Sequence, residues 1–129
     1  MFNIIAIAAV ISGLLAFPIA AYADAKSEIA TAAQHAGLAA AAPNLLQTHM
    51  HLHHALNCLV GPQDADFDKA NMNPCAQQGK GAFPDESDGE IKAKLQNAMS
   101  AAADGIASSD EATAKKDAAT VETLLEAIK

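Results

Sequence analysis

The segment that decides the fold is Leu45–Val60, which reads LLQTHMHLHHALNCLV. Every third or fourth residue along one side is apolar or an imidazole, which is the spacing of a helix face. This stripe consists of Leu45, His49, Leu52, Leu56 and Leu59. Gly61 and Pro62 follow the segment, and they are expected to end the helix because glycine suits a left-handed cap and proline cannot continue a helix.

Three further helices are predicted around this one. The first covers about residues 25–41, is rich in alanine and ends before Pro43. The third and fourth begin at capping-box patterns, residues 87–90 and 108–111, and Gly105 is expected to end the third. The β-branched residues neither cluster nor alternate, so no strand is predicted. The sequence therefore predicts an all-α fold, a small up-and-down bundle of about four helices.

Between the second and third helices lies a long segment, residues 61–86, that is rich in Gly, Pro, Asp and Asn and has no period. A loop of this length calls for a restraint or a function. Cys58 and Cys75 are the only cysteines, and a disulfide between them would supply the restraint, worth about 3 kcal/mol. The alternative interpretation is a pair of thiolates that bind a metal ion.

The same loop carries three carboxylates, Asp64, Asp66 and Asp68, which match ligand positions 1, 3 and 5 of an EF-hand calcium-binding loop. The match fails further on. Lys69 stands where an EF-hand needs glycine, and Cys75 stands where it needs a bidentate glutamate. A solvated acidic loop is the favoured interpretation.

The N-terminal segment, residues 1–23, is apolar and contains no charged side chain. Ala21 and Ala23 fit the small-x-small rule for signal peptidase, so we expect a signal peptide that is cleaved after Ala23. The mature chain, residues 24–129, would be one helical domain located in the periplasm or secreted, with no stable membrane insertion. A retained membrane anchor is the alternative, because no Lys or Arg lies near Met1.

Composition and motifs exclude several functions. The net charge is −7 and the chain contains no arginine, which disfavours binding to nucleic acid. The mature part lacks a Gly-x-Ser-x-Gly motif, a phosphate-binding glycine loop and a His-Glu-x-x-His motif. The chain is therefore predicted not to be an enzyme.

All five histidines lie in the first two predicted helices. His49 and His53 have the i, i+4 spacing that lets two imidazoles share one metal ion. The expected third ligand is His35 on the first helix or a carboxylate, while His51 and His54, on the other side of the second helix, would assist. Copper, zinc and nickel ions all suit imidazole, and Met50 is a soft neighbour for Cu(I).

Other interpretations of these histidines remain open. The histidines and the cysteine pair could be structural, in an envelope interaction or stress-related module that binds a protein partner and no metal. A bis-histidine haem is a third alternative, although the chain has no Cys-x-x-Cys-His attachment motif.

One string, HLHHALNCLVGP at residues 51–62 with Asn73-Pro74-Cys75 downstream, resembles uncharacterised small exported bacterial proteins. The chain is more loosely similar to small periplasmic His-rich helical metal-binding proteins. The second resemblance implies a non-enzymatic exported protein that binds a transition-metal ion.

Overall fold

The computed structural model of the protein describes residues 25–128, and every regular element among them is a helix. The helices are α1 (Ala25–Ala40), α2 (Leu45–Val60), α3 (Ala82–Asp85), α4 (Gly89–Ala107) and α5 (Glu111–Glu126). The predicted all-α fold is confirmed. The short helix α3 lies in the segment that the sequence had indicated as an irregular loop.

Side-chain caps fix where the long helices begin. The Asn44 side chain accepts a hydrogen bond from the first turn of α2, at 3.0 Å. Asp88 and Asp110 cap α4 and α5 in the same way, whereas the capping boxes had pointed to Ser87 and Ser108. A carboxylate accepts the free N–H groups and also carries a charge that the positive end of the helix dipole favours, so the aspartates become the caps.

The four long helices pack as a ring, in which α1 and α4 each contact both α2 and α5. The stripe predicted for α2 points inward, and Leu52, Leu56 and Leu59 of that stripe are buried. The largest fully buried apolar side chains are Leu52, Leu59, Leu95, Val121 and Leu125. Alanines at the buried positions of α1, α4 and α5 let the helix axes approach closely, so a chain with few large side chains still closes a core.

Gly105 does not end α4, which continues to Ala107. Gly105 is buried where α4 faces α2, and a Cβ atom there would lie 2.8 Å from Cδ1 of Leu52. Gly105 therefore allows α4 to pack closely against α2, and it does not end the helix.

The predicted disulfide between Cys58 and Cys75 is present, with a Cα–Cα distance of 5.2 Å. It holds the loop against the C-terminal half of α2. A second anchor is the side chain of Asn57, which is 1% exposed and bonds to three carbonyls and one N–H of loop residues 68–72. The loop is thus held in place by side chains of α2.

The far end of the loop is fixed to α1. The buried Glu28 carboxylate accepts a hydrogen bond from the N–H of Gly81 at 2.8 Å, and the side chains of Thr31 and Gln78 are hydrogen-bonded at 3.0 Å. Gly61 and Gly81 both have positive φ, and the backbone around them is in direct contact. The loop therefore closes over one end of the α1–α2 pair.

The predicted signal segment, residues 1–23, lies outside the described residues. Within residues 25–128, none of the helices has the length and apolar character needed to cross a membrane.

Candidate metal centre

Three imidazoles converge where α1 packs against α2. His35 comes from α1, and His51 and His54 come from α2 at i, i+3 spacing. One ring nitrogen from each of the three lies within 4.8 Å of the others, and the ring centroids are 5.2–5.8 Å apart. We refer to these three residues as the histidine triad.

The turn between α1 and α2 brings the triad together. The two helices form an antiparallel hairpin around Pro43, and His35 and His51 each lie eight residues from that proline. Residues equally far from the turn of such a hairpin lie at the same height. His54 follows one turn later on the same side of α2, so all three rings meet at one place.

Burial and mutual repulsion favour the uncharged forms of His35 and His54. Desolvation lowers the pKa of His35, and the neighbouring His54 and His51 lower it further. The pKa of His54, which is 6% exposed, is also lowered, first by burial and then by His51 and His53. A neutral imidazole has the lone pair that a metal ion needs, so the lowered pKa values of His35 and His54 favour the form of these two rings that can bind a metal ion.

The triad also contains polar atoms that the protein leaves unsatisfied. The Nδ1 atoms of His35, His51 and His54 are each buried and have no hydrogen-bond partner. Edge-to-face ring contacts join His54 to each of the other two rings, so plain packing accounts for part of the arrangement. Packing does not account for the nitrogens, because an unsatisfied buried polar atom costs about 1–3 kcal/mol. A metal ion would satisfy such atoms, and three imidazoles are a known ligand set for zinc.

The structure places the predicted pair, His49 and His53, elsewhere. Nε2 of His49 lies 3.0 Å from the carbonyl oxygen of Ser108, and Nδ1 of His53 lies 3.1 Å from Oδ2 of Asp68. His35, the expected third ligand of that pair, lies with His51 and His54 instead. The expected third ligand and the two residues predicted to assist therefore form the three-membered group.

The acidic loop residues take part in local turns. Asp64 and Asp68 accept hydrogen bonds from the backbone N–H groups two residues ahead, each at 2.8 Å. The Asn71 side chain and the Ala70 N–H, in that order, are the main causes that lower the pKa of the Asp68 carboxyl group. These carboxylates shape the loop, as in other Asx turns.

Comparison of the chain with protein-family models, with curated proteins and with solved structures finds no match.

Proposed function

We propose that this protein is a non-enzymatic, exported binder of a divalent transition-metal ion, which the histidine triad holds between α1 and α2. The observation that carries the proposal is the convergence of three imidazoles whose buried Nδ1 atoms lack hydrogen-bond partners. The net charge of −7 adds a general attraction for cations.

The ligand set narrows the choice of metal. Three neutral nitrogen ligands suit Zn(II), Cu(II) and Ni(II), and the affinity order favours copper among these three. Three protein ligands also leave one position for water or another small ligand, as in open zinc sites. Hard ions such as calcium and magnesium prefer oxygen ligands, so they are expected to bind poorly.

Export fits the disulfide and the N-terminal sequence. The disulfide between Cys58 and Cys75 is buried, and such bonds persist in oxidising compartments. The apolar segment 1–23 has the character of a signal peptide. We therefore place the mature protein in the periplasm or outside the cell, where it would hold the metal without acting on a substrate.

The competing candidate is an envelope interaction module that binds a protein and no metal. Exposed apolar side chains favour it, since Leu46 is 79% exposed and Met72 is 59% exposed. Isolated exposed apolar residues are common on protein surfaces, however, and they do not explain the triad.

Calorimetric titration of the mature protein with Zn(II) separates the two candidates. We expect one equivalent to bind in the wild type and in a His49→Gln control. A His51→Phe variant keeps a ring at the half-buried position but removes both nitrogens, so zinc binding should weaken by about a hundredfold. Zinc binding that is absent from the wild type, or unchanged in His51→Phe, would reject the proposal.

A further inference from the structure

A second group of imidazoles lies on another side of α2. An open groove of about 510 Å³ is lined there by His49, Met50 and His53. The rest of its wall consists of Leu46, Gln47 and Asn71. We propose that His49, His53 and the thioether of Met50 form a second metal site, distinct from the histidine triad and selective for a soft monovalent ion, Cu(I).

The hydrogen-bond partners of His49 and His53 decide which ring nitrogens carry hydrogen. The Ser108 carbonyl oxygen can only accept, so Nε2 of His49 is the donor in that 3.0 Å bond. The Asp68 carboxylate likewise accepts from Nδ1 of His53 at 3.1 Å. In the neutral rings, the other nitrogens, Nδ1 of His49 and Nε2 of His53, therefore carry lone pairs.

This arrangement is the one that metal-binding histidines commonly have. Such a histidine usually donates its second N–H to a carboxylate or a backbone carbonyl, which fixes the ring and raises its basicity. His49 has the carbonyl and His53 has the carboxylate. The i, i+4 spacing places the two side chains on successive turns of one helix face, about 5–6 Å apart at Cβ.

The groove determines which metal would be preferred. Met50 lies between the two histidines in sequence, is 37% exposed and supplies a thioether, which is a soft ligand. Leu46 makes part of the wall apolar. Two imidazoles and a thioether favour Cu(I), whereas the three imidazoles of the triad favour a divalent ion.

The alternative is that His49 and His53 only fasten the loops. Their bonds to Ser108 and Asp68 would then be sufficient, and the second nitrogen of each ring would have no role. The two interpretations differ in a direct way, because only a metal site requires Met50.

Silver(I) is the probe, since it is soft and monovalent like Cu(I) but does not change oxidation state during a titration. Nuclear magnetic resonance of the zinc-loaded mature protein follows the imidazole signals and the Met50 methyl group. We expect one equivalent of silver to shift the signals of His49, His53 and Met50. The triad signals should remain unchanged.

Three variants complete the test. His49→Gln retains a side-chain donor for the Ser108 carbonyl but removes the imidazole, and Met50→Leu keeps the volume but removes the sulfur. Each should weaken silver binding about tenfold or more. His51→Phe should leave silver binding intact, even if the triad fails to bind zinc. Equal silver affinity in the wild type, His49→Gln and Met50→Leu, or a Met50 methyl signal that does not move, would overturn the second site.

Discussion

Replacing Asn57 by alanine tests whether this one side chain organises the loop. Its Nδ2 atom donates towards the carbonyl oxygens of Asp68, Asn71 and Met72, at 3.0, 3.3 and 3.2 Å. Its Oδ1 atom accepts the N–H of Asp68 at 2.9 Å. All four contacts are lost in Asn57→Ala, so the variant should be clearly less stable than the wild type.

The size of the loss follows from the chemistry of the amide. Two N–H hydrogens are shared among three carbonyls and one bond is accepted, which makes about three full hydrogen bonds at about 1 kcal/mol each. We therefore expect the free energy of unfolding to fall by about 3 kcal/mol, a large part of the 5–15 kcal/mol typical of a domain. Urea denaturation followed by circular dichroism, with the disulfide intact, measures this difference.

The matched control is Asn57→Asp, which keeps the acceptor for the Asp68 N–H but points a carboxylate at three carbonyl oxygens. It should be at least as destabilised as Asn57→Ala at neutral pH, and less so in acid, where the carboxyl group is protonated. If Asn57→Ala unfolds within about 1 kcal/mol of the wild type, the loop does not depend on this residue and the reasoning is refuted.

Three further predictions concern stability. The pKa values of His35 and His54 are lower in the folded protein than in the unfolded chain. As the pH drops through the ordinary histidine pKa of 6.5, the unfolded chain therefore binds more protons than the folded protein does, and proton binding favours unfolding. The Tm of the metal-free protein should fall over this pH range. In a His35→Phe variant the Tm should depend less steeply on pH. A pH dependence equal to that of the wild type would show that His35 does not cause it. Gly61→Ala should lower the free energy of unfolding, measured by urea denaturation, by at least about 2 kcal/mol, because φ is 76° and the added Cβ would meet the Lys80 carbonyl oxygen. A urea midpoint equal to that of the wild type would count against that contact. Reduction of the disulfide should lower the stability by about 3 kcal/mol, and an unchanged urea midpoint would show that the loop is restrained by other contacts.

The helices could be predicted from the sequence because their signals are local. The helical period alone is enough to recognise the stripe from Leu45 to Leu59 as one face of α2. The conformational freedom of glycine alone is enough to predict that the helix ends at Gly61. Gly105 was misinterpreted as a helix stop because its neighbour Leu52 is more than fifty residues away in the chain. Asn57 shows no local signal at all, since its partners lie in the loop.

The candidate site could be predicted only in part, because it joins residues that are distant from one another in the chain. The i, i+4 pair of His49 and His53 is visible within one helix, and His35 was therefore assigned to that pair, whereas after the turn at Pro43 it meets His51 and His54. The register of that hairpin carried the missing signal. The equal distance of His35 and His51 from Pro43 places the two imidazoles side by side.

The most direct test of the central claim is anomalous X-ray diffraction, at the zinc absorption edge, from crystals of the zinc-loaded mature protein. We expect one strong peak between α1 and α2, with one nitrogen each of His35, His51 and His54 at about 2.0–2.1 Å from the ion. A zinc ion bound elsewhere, or a triad that stays without metal at saturating zinc, would contradict it.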